Sequence, residues 1–351
     1  MSDNAELVEL AESIFADARS TASESESGLD AGLWKTLEET GLARLTLPEA
    51  AGGSDGTLTD AAAVLSMAGA YAARIPLVET DLLAGWLAHA AGLETPSGPL
   101  TAVAADLTVT PSGEAGAAGA RVTGLLARVP WARSAAAIVV LSGDHVLVLD
   151  RAAVTVTEGV NLAEEPRDTV TVDTGLDSGA VGTAPAGAAA EFRLRAALGR
   201  ALLLAGAARG ALAESVRYAG ERVQFGRPIG RFQAVQQQLA LAAAEVAAAA
   251  AATDAAARTA AVDGFGAAST AFAVAAAKAR AGEAAGQVAR IAHQVHGAIG
   301  FTREHHLRLV TTRLWSWRDE DGSDAQWNDE IGARVLAAGP DGLWPLVTGT
   351  P

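Results

Sequence analysis

Residues 217–240 read RYAGERVQFGRPIGRFQAVQQQLA. The pattern is a helix that ends in a basic residue, a turn through Gly226 and Pro228, and a second helix that opens with glutamines. Such a turn can present backbone N–H groups, the Arg222 guanidinium and glutamine amides to an anionic ligand rich in hydrogen-bonding groups. The same residues also describe a plain helical hairpin with surface arginines.

Working outward from this hairpin, helical periodicity runs from Ala189 to about Arg222, from Phe232 through Thr259 and from Ser269 to Val295. The interruptions FGRPIG (Phe225–Gly230) and VDGFG (Val262–Gly266) place turns between antiparallel helices of a bundle. Upstream, short runs rich in valine and threonine predict strands at Leu100–Ala104, Arg121–Val129, Ala137–Leu141, His145–Leu149, Val154–Val156 and Thr169–Val172, a small antiparallel sheet unit. Before the PSGPL linker, helices are expected at Ala5–Ala18, Leu33–Thr40, Asp60–Arg74 and Glu79–Ala91, with the breaker cluster PEAAGGSDG at Pro48–Gly56. The order is α, then β, then α, which divides the chain into 1–95, 96–188 and 189–351.

Composition agrees with that order. A chain of 351 residues exceeds the usual range of a single core. Half of it is hydrophobic but only 5% is aromatic, and much of the apolar content is alanine, which suits closely packed helices. The formal net charge of -15 repels a phosphate backbone, so nucleic acid is not an expected partner. The absence of cysteine excludes disulfides, thiolate catalysis and cysteine-ligated metal centres. The N-terminus has no secretory signal, which predicts a soluble cytoplasmic protein. The alanine-rich run Ala234–Ala261 is broken by Glu245, Asp254 and Arg258, so no membrane span is expected.

The hairpin resembles the signature of the acyl-CoA dehydrogenase family, a tyrosine, an ERxxFG element, a PI pair and an FQxxQ element. Tyr218, Glu221, Arg222, Phe225, Gly226, Pro228, Ile229, Phe232, Gln233 and Gln236 stand in register with it. A second segment, QVHGAIGFTREHHL (Gln294–Leu307), resembles the family's glycine loop through Gln294, Gly297, Gly300, Phe301 and Glu304. A third, GLARLTLPEAAGG, matches through Gly41, Leu42, Pro48, Glu49, Gly52 and Gly53.

The resemblance implies an α+β fold: an N-terminal helical domain, a small middle β domain and a C-terminal four-helix bundle. It also implies FAD, an acyl-CoA substrate desaturated at its α,β bond, and an electron-transfer flavoprotein as electron acceptor. In the family a carboxylate takes the α-proton while the β-hydride passes to flavin. Carried over by position, Arg222, Gln224 and Phe225 would meet the FAD pyrophosphate or adenosine across a subunit interface, Gln233 would add a contact, and Gln294, Gly297 and Ala298 would form the loop reaching a neighbour's cofactor. Ala298 stands where a glycine is usual. A tetramer of the dimer-of-dimers kind follows.

Two departures open an alternative. The stretch Asp106–Ala120 lacks the family's TEPxxGSD-like loop, and the base position holds Asp321, one methylene shorter than glutamate, while the family's second base location falls near Ala196, with no acid. The chain is therefore read as an FAD-dependent acyl-CoA dehydrogenase with Asp321 as base or, alternatively, as a non-catalytic partner subunit completing the FAD site of a heteromeric enzyme. His293, His296, His305 and His306 form no H-E-x-x-H pattern and are expected as solvated or helix-capping residues rather than metal ligands. Trp315, Trp317 and Trp327 are expected as packing anchors. Asp319, Glu320, Asp321 and Asp324 taken alone read as a solvated acidic cluster.

Overall fold

In the computed structural model, residues 2–21, 28–111, 119–302 and 305–348 are described. The chain runs from N-terminal helices through a middle β region to a C-terminal helical bundle. Contacts group it into two units, Glu26–Thr57 with Arg74–Ala196, and Met1–Ser25 with Leu58–Ala73 and Ala197–Pro351. This grouping follows spatial contact rather than sequence order, so parts of the N-terminal helical region fall in each unit.

In the unit containing the β region, Asp30 caps helix α2 (Ala31–Glu39; α1 is Ser2–Thr21), its carboxylate accepting from the Leu33 amide at 2.9 Å. Leu33, Trp34 and Leu37 form the buried face of that helix. The helix expected at Glu79–Ala91 begins instead as a wide π-helical segment, Val78–Gly85, followed by a short α-helix, Trp86–Ala90. Glu79, Thr80 and Asp81 are all buried there. The Thr80 hydroxyl donates to Leu100 O and accepts from Leu100 N, docking the segment on the first strand. Asp81 accepts from Thr46 N at 3.0 Å and Thr46 Oγ1 at 2.9 Å, which ties down the loop before Pro48.

The strands form two four-stranded sheets rather than one antiparallel unit. In one sheet β1 (Leu100–Ala104), β4 (Ala137–Ser142), β5 (His145–Asp150) and β8 (Val181–Thr183) lie in that order, with β1 parallel to β4. In the other, β2 (Thr108–Pro111), β3 (Gly119–Pro130), β7 (Arg167–Asp177) and β6 (Thr155–Thr157) are antiparallel throughout. The parallel pair arises because the chain leaves β1, builds β2 and β3 in the second sheet and returns to β4, the long crossover that parallel pairing requires. Val122 and Leu126 of β3, Ile138 and Val140 of β4, Leu147 and Leu149 of β5, and Val170 and Val172 of β7 share one core.

The helical unit contains α1, α3 (Leu58–Ala70), most of α5 (Ala188–Glu221), α6 (Gln233–Asp263), α7 (Ala268–His296), α8 (Leu307–Asp319) and α9 (Asp324–Thr348), with α4 being the short Trp86–Ala90 helix. Its small residues have a direct structural use. A methyl on Gly206 of α5 would lie 1.9 Å from Ser66 O, and one on Gly69 of α3 2.2 Å from Leu203 O, so these helices cross with their backbones touching. The buried positions of α6 are Ala242, Ala249, Thr253, Ala256, Ala257 and Ala260. α9 bends at Gly339 (φ 65°) just before Pro340, which cannot supply a helical N–H.

Candidate functional site

Helix α5 ends at Glu221, and the chain turns back at once: Arg222 N donates to Tyr218 O, and Ile229 N donates to Arg222 O, each at 2.8 Å. Between them Val223–Gln224 pairs with Arg227–Pro228, and Phe225 and Gly226 make the turn with φ of 52° and 79°. Positive φ is ordinary for glycine but costs a bulky residue on the order of 1 kcal/mol. Phe225 is also 92% exposed, its ring meeting Phe232 edge-on at 6.0 Å. A strained, solvent-facing phenylalanine contributes little to the core of its own chain.

The polar groups of the hairpin are equally uncommitted. Among the described residues, the side chains of Arg222, Gln224 and Gln233 make no hydrogen bond or ion pair, and all three are exposed. Nearby groups are satisfied locally: Arg217 pairs with Glu221 at 2.9 Å and Glu214 at 2.7 Å, and the Gln236 amide donates to Gly230 O at 2.9 Å.

The glycine loop begins where α7 ends. Gly297 has φ 65°, ψ -145°, and a methyl built on it meets nothing within 4 Å, so its backbone borders open space. Ala298 keeps a negative φ, so its methyl carries no backbone strain. Gln294, Gly297 and Ala298 are all exposed, and the Gln294 amide makes no hydrogen bond among the described residues. Arg290, His293, Gln294, Gly297, Phe301 and Trp315 line an open cavity of about 470 Å³. Glu304, the last residue of the motif match, lies outside the described residues, as do residues 112–118 of the stretch that departs from the TEPxxGSD pattern.

These two motifs, some 75 residues apart in sequence, meet through aromatic contacts. Tyr218 stacks on His296 with ring centroids 4.4 Å apart, and His305 stands edge-on to both. Of the two roles expected for the histidines, solvated or helix-capping, His293 and His296 do not fit the first: both are buried, and burial holds both below the ordinary histidine pKa. His305 does act as a cap, its Nδ1 accepting from Leu307 N at the start of α8.

Asp321 lies elsewhere. It sits with φ 56° in the turn between α8 and α9, and its Oδ2 accepts from Arg200 Nε at 2.9 Å. The Arg200 guanidinium also stands 3.5 Å from Glu320. Lys278 is fully buried and donates to Arg318 O at 2.9 Å and Gly322 O at 2.6 Å; burial lowers its pKa to about 8 despite the opposing pull of Asp321. The Trp327 indole donates to Asp321 O at 3.0 Å, and Arg318 pairs with Asp324 at 2.9 Å. Glu320, Asp321 and Asp324 are thus held by cations, which corrects their reading as simply solvated, while Asp319 is exposed. Arg200 and Arg222 are separated by about 33 Å of helical rise along α5, so the candidate base and the hairpin are not brought together within this chain. Trp317 and Trp327 are buried packing residues, whereas Trp315 walls the cavity.

Arg200 and Lys278 escaped the sequence reading because their partners are far away in sequence. One signal was visible: Lys278 is one of two lysines in an arginine-rich chain, and a buried site capping two carbonyls takes a compact ammonium.

The donor set around the hairpin and glycine loop suits a flavin dinucleotide. It offers the unpaired Arg222 guanidinium for a diphosphate, the free amides of Gln224, Gln233 and Gln294 for a nucleotide, and a glycine backbone open to close approach.

The sequence pattern described as acyl-CoA dehydrogenase, C-terminal domain, matches residues 191–336. The acyl-CoA dehydrogenase IpdE2 of Mycolicibacterium smegmatis is 33% identical over 301 residues, covering 85% of this chain and 86% of that protein. The solved ChsE4-ChsE5 complex from Mycobacterium tuberculosis has a chain of the same fold, with TM-score 0.84 and 24% identity over 97% of this chain and 98% of that one. A variant of the Tcur3481-Tcur3483 steroid ACAD aligns with TM-score 0.79 and 26% identity over 96% and 98%.

Proposed function

The chain belongs to the acyl-CoA dehydrogenase family, and on that premise we propose that it is a subunit of an FAD-dependent acyl-CoA dehydrogenase assembly, in which a second chain of the same fold supplies the catalytic base and the acyl pocket. The observation that carries this reading is the ion pair at the base position. A carboxylate that must take a carbon-bound proton works best in an apolar pocket, free of a competing cation, whereas Asp321 is engaged by Arg200 at 2.9 Å. The α5 position near Ala196 carries no acid to replace it.

This chain's own contribution lies at the hairpin and the glycine loop. Arg222 would hold the FAD pyrophosphate by a charge-assisted hydrogen bond, Gln224 and Gln233 would add amide contacts, and Phe225 would cover part of the adenosine. Gln294, Gly297 and Ala298 would border the cofactor from the other motif. FAD supplies the hydride acceptor for α,β-desaturation of an acyl-CoA, and an electron-transfer flavoprotein would take the electrons onward. The two-chain naming of the ChsE4-ChsE5 complex and of the Tcur3481-Tcur3483 ACAD supports a heteromeric assembly.

A second reading keeps Asp321 as the base of a self-sufficient enzyme. It is favoured by the 27% exposure of the Asp321 side chain, which leaves the carboxylate open on one side. Purification of the chain alone and co-expressed with an acyl-CoA dehydrogenase-like chain that carries the TEPxxGSD-like loop and a glutamate base, recording FAD per chain and acyl-CoA-dependent flavin bleaching, separates the two. Flavin and turnover only in the co-expressed complex are expected; full flavin and turnover in the chain alone would overturn the partner-subunit reading.

A further inference from the structure

His293 is an odd choice for a packing residue. More than nine-tenths of it is buried, and its ring stacks on Phe301 at 4.0 Å and on Trp315 at 5.1 Å, nearly parallel to both. The Thr311 hydroxyl donates to Leu307 O at 3.1 Å, so it accepts from His293 Nε2 at 3.0 Å, which assigns the ring proton to Nε2. The other nitrogen, Nδ1, is buried without a hydrogen bond. It faces Gly300 so closely that a methyl there would lie 3.2 Å from it. An apolar ring of the same shape would avoid the cost of that unpaired nitrogen.

Phe301 is odd in the complementary way. It is 64% exposed, and its one ring contact among the described residues is the stack on His293. It ends the short 3₁₀ segment Gly297–Phe301, whose other end follows directly on His296 and its stack with Tyr218. The segment therefore hangs between two aromatic clamps, and the exposed Gly297 and Ala298 lie between them.

We infer that the Trp315–His293–Phe301 stack positions the Gly297–Phe301 turn for the flavin dinucleotide, making His293 and Phe301 positioning residues for cofactor binding. The inference rests on the assignment of Gln294, Gly297 and Ala298 to FAD. It requires no contact between His293 or Phe301 and the cofactor. Release of the Phe301 clamp lets the turn leave its binding pose, and apparent affinity falls in proportion to the fraction of time the pose is kept. If that fraction drops to one in ten, the FAD dissociation constant rises about tenfold.

The test uses Phe301, because truncating an exposed ring leaves the core intact. The flavin-bearing assembly, with the chain carrying Phe301→Ala, Phe301→Tyr or Arg222→Ala, is titrated with FAD by flavin fluorescence, and melting is followed separately. Phe301→Ala should weaken FAD about tenfold with an unchanged melting temperature, and Phe301→Tyr, which keeps the stack, should restore it. His293→Ala should weaken FAD at least as much, with an added loss of stability. Unchanged affinity in Phe301→Ala, or no recovery in Phe301→Tyr, overturns the inference. The site assignment is judged apart from it: if Arg222→Ala also keeps full affinity, the assignment of FAD to this face has failed, whereas release of FAD by Arg222→Ala alone leaves the assignment standing and removes the clamp.

Discussion

The two polar regions of the helical unit use their charges in opposite ways. In the α8–α9 turn, Arg200, Lys278 and Arg318 are each matched to a carboxylate or a carbonyl of the same chain. In the α5–α6 hairpin, Arg222 and two glutamines face outward with no partner among the described residues. Charges satisfied internally hold a fold, and charges left free at a strained, exposed turn await a ligand. On the proposed function, a family motif survives in two senses: the hairpin keeps its binding groups free, while the position read as the base is part of the scaffold.

The largest expected effect tests the closed region. Arg200→Leu strands Asp321 and Glu320 beside Lys278 without their guanidinium. Removing one partner of a buried pair costs about 3–5 kcal/mol, and the low end applies because both acids keep some solvent. Urea unfolding should show a loss of about 3 kcal/mol. A loss under about 0.5 kcal/mol, the range of an ordinary surface change, would mean that the turn is not held by this pair, and the contrast with the hairpin would collapse.

The open region gives the next effect. Arg222→Ala removes an exposed side chain with no hydrogen bond or ion pair among the described residues, so stability should be unchanged, while loss of a charge-assisted contact of about 1.5–3 kcal/mol should weaken FAD by roughly ten- to a hundredfold. Flavin retention after gel filtration and a melting curve on the same sample check both halves. A variant that loses stability but keeps its flavin would invert the comparison.

The hairpin was legible in the sequence because its determinants are local: Tyr218 to Gln236 spans one helix end, one turn and one helix start. The strand runs with continuous apolar residues, such as Ala137–Leu141, were legible for the same reason. What escaped depends on distance or on missing pattern. Arg200 and Asp321 stand 121 residues apart, and nothing near either announces the other. β2 and β8 are short edge strands, TVTP and VGT, without an apolar run, and the parallel pairing of β1 with β4 is set by a return from another sheet. His293 and His296 were expected as solvated or helix-capping residues for want of a metal-binding pattern, whereas stacking against Phe301, Trp315 and Tyr218 buries them.

Asp81 sharpens the comparison by showing a buried acid held by neutral donors. Burial raises its pKa to about 7, against the lowering influence of the Thr46 hydrogen bonds. The folded protein thus binds this proton more tightly than the unfolded chain, whose Asp titrates near 3.9. The resulting stability is complete below about pH 4 and is lost as pH rises through 7. Between pH 6 and pH 8 the loss is about 1.4 kcal/mol for one such group. Asp81→Asn should flatten that slope in urea midpoints measured across the interval. The lowered pKa values of His293 and His296 act in the other direction, removing stability as pH falls below about 6.5, so they oppose the Asp81 effect where the two windows overlap and remain as the background in the Asn variant. An Asp81→Asn protein that keeps the full slope would show that the carboxylate is not its source.

The smallest effect is expected at Asp321 itself, and it decides between the two readings of the chain. Asn tolerates the left-handed φ of 56° as well as Asp does, and the Trp327 indole bonds the backbone carbonyl, which the substitution keeps. Arg200 retains Glu320 at 3.5 Å, and Lys278 retains two carbonyls, so no buried cation is left wholly unpaired. Asp321→Asn should therefore cost about 1 kcal/mol or less, the range of a partly exposed ion pair. Acyl-CoA-dependent flavin bleaching by the assembly should be unchanged, because on the proposed function the other chain takes the proton. Asp321→Glu should likewise leave turnover unaltered, since lengthening a side chain that does no chemistry brings no reacting atom closer. If Asn abolishes turnover and Glu raises it, the carboxylate is a working base displaced by one bond length, a misplacement on the order of 1 Å that can cost about a hundredfold in rate. In that event Arg200 would be restraining a catalytic group, and the α8–α9 turn would belong with the hairpin as a site rather than with the scaffold.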